Sequence, residues 1–163
     1  MSEIIELNQI DRQILQELQM DGRITYAELA RRVGLSTSPC LERVRRMERE
    51  GIIRGYTTLL NPGCLGANLI VIVQIRLKRT SQNIFEKFKE AAVRLEEVQE
   101  CYLISGNFDY LIKARVPDME AYRQFLGSSL LSLPGVQEST SYVVMELVKE
   151  TLNIPITETS AKL

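Results

Sequence analysis

Residues 21–51, DGRITYAELARRVGLSTSPCLERVRRMEREG, spell two short helices around a tight turn. Asp21-Gly22 stops whatever helix precedes them. Thr25 can cap the first of the two, and Glu28, three residues on, completes a capping box. That helix is expected to bury Ala27, Leu29, Ala30 and Val33, and Gly34 ends it in the left-handed conformation that glycine tolerates. In the turn Val33-Gly34-Leu35-Ser36 the two apolar residues pack into the angle. Ser38 is expected as the next N-cap, with Pro39 at the first helical position and the helix running to Glu50 before Gly51. Upstream, Ile10, Ile14, Leu15 and Leu18 recur at helical spacing. Three helices with a glycine turn before the last read as a helix-turn-helix.

The surface of the third helix sharpens this reading. At about 100° per residue, Cys40, Leu41, Val44, Met47 and Glu48 fall on one side, and Ser38, Glu42, Arg43, Arg45, Arg46 and Arg49 on the other. The outer side thus carries four arginines and a single acid. Arginine grips a phosphate or a guanine edge with two N–H groups at once. The hydroxyls of Ser36, Thr37 and Ser38 stand at the helix start, the end of a recognition helix that approaches base edges. The candidate contacts to double-stranded DNA are therefore Ser36, Thr37, Ser38, Pro39, Arg43, Arg45, Arg46 and Arg49. Plain helix capping is the competing use of the hydroxyls.

Charge is distributed in the same sense. Residues 1–22 hold one arginine against five acids, residues 23–54 eight arginines against four acids, and residues 55–163 eleven basic residues against twelve acids. One short basic segment inside an acidic chain is the footprint of phosphate contact. Other classes are disfavoured. The chain has no histidine, so Ser-His and Cys-His catalysis are excluded, and no phosphate-cradling glycine motif is present. Cys40, Cys64 and Cys101 are odd in number and far apart, which argues against a disulfide framework or a zinc site and fits a cytoplasmic protein. No catalytic residue, metal or cofactor is expected. No apolar run approaches the ~18 residues of a membrane span, and residues 1–8 lack the basic stretch of a signal peptide.

After Gly51 the pattern changes. Residues 52–67 read as a strand-like linker, with a turn at Asn61-Pro62-Gly63. Leu69 to Leu77 is β-branched and strand-like. A helix is expected from Ser81, with Phe85, Phe88, Ala92 and Leu95 inward. Strands follow at 98–105 and 108–116, turning at Gly106-Asn107. Pro117-Asp118 opens a helix with Met119, Tyr122, Phe125 and Leu126 inward. Pro134-Gly135 breaks it, and Ser139 to Lys149 is expected as the last strand. The order βαββαβ predicts a ferredoxin-like, ACT-like antiparallel sheet with both helices on one face. The fold class is thus α+β: a helix-turn-helix at 1–51, the linker at 52–67, the sheet domain at 68–149 and a loose arm or tail at 150–163. Helix-turn-helix readers act as dimers on half-sites ~34 Å apart, so a homo-oligomer is expected.

The run DRQILQELQMDGRITYAELARRVGLSTSPCLERVRRMEREGIIRGYTTLLNP resembles the DNA-binding half of the Lrp/AsnC ("feast/famine") regulators, and ECYLISGNFDYLIKARVPDMEAYRQFLGSSLLSLPGVQESTSYVVMELVK resembles their effector domain. The resemblance runs from about Leu7 to Lys149. It implies a transcription regulator of amino-acid metabolism genes, a dimer assembling to an octamer, and a small amino-acid effector bound between dimers. The family's effector loop falls at Gly106, Asn107, Phe108, Asp109 and Tyr110. Gly106 would let backbone N–H groups face a carboxylate, and Asp109 would receive an ammonium. Leu131, Thr140, Tyr142 and Val144 match positions near the family's pocket, and their mostly apolar nature suits leucine or methionine. Asn107 departs from the Asp common in relatives. The competing reading of the loop is a plain hairpin turn. The alternative function is an architectural DNA-binding protein without a ligand response.

Overall fold

Helix α1 (Gln9–Met20) begins where Asn8 turns extended and its side chain accepts the Asp11 N–H at 2.9 Å. It ends at Asp21, as the Asp-Gly stop predicts. Thr25 caps α2 (Tyr26–Arg32) by accepting the Glu28 N–H at 3.2 Å. The Glu28 carboxylate does not complete the box; it turns to Arg31 and Arg32 instead. The computed structural model describes residues 7–78 and 83–156. The chain divides into two units, residues 1–59 with 150–163, and residues 60–149.

Helix α3 (Thr37–Arg49) starts two residues earlier than expected, with Ser36 rather than Ser38 as N-cap. The reason lies in Pro39. At the third helical position an N–H has no intrahelical acceptor, so proline costs nothing there and the helix need not wait for it. Gly34 adopts φ +71°, as the turn requires. Ile14, Leu29, Ala30, Val33, Cys40, Val44 and Met47 form the core of this unit. Each large member contributes about 1.5–3 kcal/mol relative to exposure. Ala27, expected inside, is exposed.

Residues 52–61, within the stretch read as a strand-like linker, form no strand. A short 3-10 turn at Pro62–Leu65 follows Asn61, whose side chain caps it. The tail expectation also changes. The Gln19 amide donates to the Ile154 carbonyl at 3.1 Å and accepts its N–H at 2.6 Å, so the segment up to residue 156 is held at Ile154.

The second unit is a four-stranded antiparallel sheet, β1 (Leu69–Leu77), β2 (Val98–Leu103), β3 (Tyr110–Val116) and β4 (Val136–Val143), in the order β2-β3-β1-β4. Its helices are α4 (Ile84–Ala92) and α5 (Met119–Ser128). The βαββαβ expectation holds. Val71, Val73, Ile75 and Leu77 alternate onto one face with Ile112, Ala114 and Val116, and Phe88, Ala92, Tyr122 and Phe125 from both helices cover that face. Ser81 lies outside the described residues. Met119, expected inward, is exposed, since it directly follows the Asp118 cap in the first helical turn.

The last strand starts earlier and stops sooner than Ser139 to Lys149. It begins at Val136 because Leu77 pairs with Val136, and the Lys78 N–H reaches the Gly135 carbonyl at 2.8 Å. It ends at Val143, whose partner Val71 is the last residue of β1 that pairs with β4. The Val144 N–H makes the closing bond to the Ile70 carbonyl at 2.9 Å. Among the described residues no helix is long and apolar enough to cross a membrane.

Candidate DNA-recognition face and effector cleft

The α3 start presents its hydroxyls unspent. Ser36 makes no side-chain capping bond, and Ser36, Thr37, Ser38 and Pro39 are all exposed. Beside them runs an open groove of about 610 Å³ lined by Pro39, Glu42, Arg43, Arg45, Arg46 and Arg49. All four arginines read from the sequence therefore meet in one place.

They do not meet as equals. Asp11 of α1 is fully buried, and its carboxylate takes Arg43 Nη1 at 3.0 Å on one oxygen and Arg46 Nη2 at 2.6 Å on the other. Arg46 Nε is buried without a hydrogen bond, with Glu50 3.9 Å away. Arg45 and Arg49 are exposed and form no ion pair among the described residues. Elsewhere in the basic segment, Arg31 and Arg32 hold the Glu28 carboxyl down to about 2, Arg31 most strongly, and Arg32 also pairs with Glu17 at 2.8 Å. Much of the positive charge counted in residues 23–54 is thus locally balanced. Asp11 was not singled out from the sequence, because at the start of an amphipathic helix an acid reads as a solvated dipole partner. The signal was its place one residue after Ile10 and three before Ile14, on the inward side.

In the sheet unit, Gly106, Asn107, Phe108 and Asp109 line an open cleft of about 340 Å³ with Arg76, Leu77 and Gln137. Gly106 has φ +149°, a conformation that favours glycine. The Asp109 N–H donates to the Ile75 carbonyl at 2.8 Å, and its carboxylate accepts the Leu77 N–H at 2.8 Å. The Arg76 guanidinium donates to the Asn107 carbonyl through Nε at 3.1 Å and Nη2 at 2.5 Å, and pairs with Glu138 at 3.3 Å. The loop is thus held to β1 at Asp109 and to Arg76 at Asn107.

The other expected ligand residues stand apart from this cleft. Tyr110 is buried in the core, its ring 4.4 Å from that of Phe88, and burial of its phenol raises its pKa. Strand alternation explains the difference: Asp109 ends the loop, while Tyr110 opens β3 facing inward. Leu131 is exposed on a 3-10 turn (Leu130–Ser132). Thr140 and Tyr142 lie opposite Gln74 and Ile72 on the sheet face away from the helices, and the Tyr142 hydroxyl donates to Gln74 at 3.4 Å. Val144 lies past the end of β4. Arg76 and Gln137 were missed. Arg76 was hidden as the polar end of an apolar strand run, although a charge across from Glu138 marks that register.

Comparison with known proteins agrees with both halves. The family model described as winged helix-turn-helix DNA-binding matches residues 7–54, and the Lrp/AsnC ligand binding domain matches residues 70–154. The leucine-responsive regulatory proteins of Klebsiella pneumoniae and Escherichia coli (strain K12) are each 59% identical over 151 residues, 93% of this chain and 92% of theirs. The crystal structure of a transcriptional regulator from Neisseria meningitidis in complex with L-Met superposes with a TM-score of 0.88 at 37% identity, covering 92% of this chain and 97% of that one. The helical unit, the sheet unit and these likenesses agree on one conclusion: the chain belongs to the Lrp/AsnC family of transcriptional regulators.

Proposed function

We propose that this regulator binds double-stranded DNA through α3 as a homo-oligomer in the cytoplasm, a dimer or an octamer built from dimers. It adjusts amino-acid metabolism genes in response to leucine or methionine. The observation that carries the ligand reading is the convergence of Gly106, Asn107 and Asp109 with Arg76 on one cleft. An amino acid would set its ammonium against Asp109 and its carboxylate against Arg76 and the loop N–H groups. Leu131, Thr140, Tyr142 and Val144 would complete the pocket from a neighbouring protomer or dimer, since they stand apart from the cleft within one chain. The L-Met complex of the Neisseria meningitidis regulator supports an amino-acid effector. On the DNA side, Ser36, Thr37 and Ser38 would meet base edges, and Arg45 and Arg49 the phosphates.

The deciding experiment is thermal stability of the purified protein against each proteinogenic amino acid in turn. A ligand that binds the folded state raises the melting temperature by mass action. A shift with leucine or methionine supports the sensor. No shift with any amino acid supports the ligand-independent architectural protein instead. Light scattering tests the assembly, and a monomer at micromolar concentration would defeat it.

A further inference from the structure

The Asp11 carboxylate is an unusual group to find beneath a DNA-binding face. It is fully buried, it is negative, and its two ion-pair partners are residues of the recognition helix. A buried carboxylate is tolerated only when paired, so Asp11 needs both guanidiniums. The reverse holds as well. Arg43 and Arg46 are each about two-thirds covered, with 31% and 37% of the side chain exposed, while both still line the groove. Two arginines and one aspartate form a unit of net charge +1, where two free arginines would carry +2.

We infer that Asp11 is a positioning residue for sequence recognition: it fixes Arg43 and Arg46 as a rigid, half-neutralised pair, leaving Arg45 and Arg49 as the mobile cations that hold any phosphate backbone. The inference rests on α3 being the DNA-reading helix. Non-specific affinity comes from mobile cations releasing counterions and depends on charge count. Discrimination comes from donors held in a fixed orientation against base edges. An arginine already held gives up little further side-chain freedom on binding, so its contacts are made only where the geometry fits. Removing one negative charge from beneath the face also limits nothing else: Asp11 touches no other ion-pair partner among those described.

The test uses the full-length protein with two duplexes of equal length and composition, one selected by the wild type from a random pool and one scrambled. Affinity for each is measured across a KCl series. Asp11→Asn keeps the shape of the side chain and removes its charge. It is expected to tighten binding to the scrambled duplex about fivefold at low salt and to steepen its salt slope by about 0.9 per protomer, one further phosphate. It should also cut the selected-to-scrambled ratio about tenfold. A merely structural role for Asp11 predicts something else: both affinities fall in parallel and the ratio stays. That outcome overturns the inference. Should Asp11→Asn fail to fold, Arg45→Gln and Arg46→Gln decide. Arg45→Gln should flatten the scrambled-duplex slope and spare the ratio, whereas Arg46→Gln should lower the ratio and change the slope little. Identical behaviour of the two overturns the division. Wild-type protein that binds neither duplex overturns the DNA reading of α3 itself, and this inference with it.

Discussion

The Leu77 N–H donates to the Asp109 carboxylate at 2.8 Å, joining the last residue of β1 to the loop that enters β3. The residue assigned to the effector's ammonium thus also closes a strand end. Replacing it removes two functions that different substitutions can separate. Asp109→Asn keeps an oxygen for the Leu77 N–H but offers an ammonium no charge. It should unfold within about 1 kcal/mol of the wild type, while the thermal shift with leucine or methionine disappears. Asp109→Ala leaves the Leu77 N–H without its acceptor and should cost about 1.5–3 kcal/mol in urea unfolding, the range for bonds to charged groups. An Asp109→Asn protein that retains the full ligand shift would remove Asp109 from the site.

Arg76 holds the same loop from the other side, through two bonds to the Asn107 carbonyl. It is about half exposed, so its pair with Glu138 adds little stability. Arg76→Gln loses this exposed pair and the exposed bonds to Asn107 and should cost only about 1 kcal/mol in unfolding. If the guanidinium also takes the effector carboxylate, effector affinity should fall about tenfold or more, the loss expected for a charge-assisted bond of about 1.5–3 kcal/mol. Calorimetric titration of variant and wild type reads this directly. Equal affinities would confine Arg76 to the loop.

Periodicity made the elements legible, because Val71, Val73, Ile75 and Leu77 alternate inward while Cys40, Val44 and Met47 recur along a helix face. Element ends were less legible. Where β4 stops depends on its pairing with β1, which ends at Val71 and Val143, and no local signal in residues 144–149 reports that. Site residues divided in the same way. The residues from Gly106 to Asp109 that line one cleft are contiguous, so a sequence can group them. Arg76 reaches them across 31 residues, and Asp11 reaches Arg46 across 35. Such pairings depend on the packing of distant elements, which helix and strand periods do not encode.

Gly135 offers a sharper test of the sheet unit. It sits at φ +79°, and a Cβ added there would lie 2.3 Å from Ile84 Cγ1 at the start of α4. Backbone strain and overlap both oppose a side chain, so Gly135→Ala should destabilise the unit by about 3 kcal/mol or more. Gly34 has a similar φ of +71° but nothing within 4 Å of the added Cβ. Gly34→Ala should cost only the backbone term, about 1–2 kcal/mol. Denaturant unfolding of the two variants checks the order. Equal losses would mean that Ile84 moves aside.

The three cysteines report on the two units separately. Cys64 is exposed and Cys101 half-buried, while Cys40 is buried among the helices. Burial pushes the thiol pKa of Cys40 and of Cys101 up, and the thiolate is the reactive form. A disulfide reagent near neutral pH should therefore modify Cys64 at once and Cys101 more slowly. Cys40 should react only as the helical unit opens. If a duplex binds α3 as proposed, it stabilises the folded unit and should slow Cys40 further, leaving Cys64 unchanged. Mass-spectrometric timing of the three sites, with and without DNA, gives the answer. Cys40 labelled as fast as Cys64 in native buffer would mean that α3 is not seated on Ile14 and Leu29, and the proposed DNA face would lose its support.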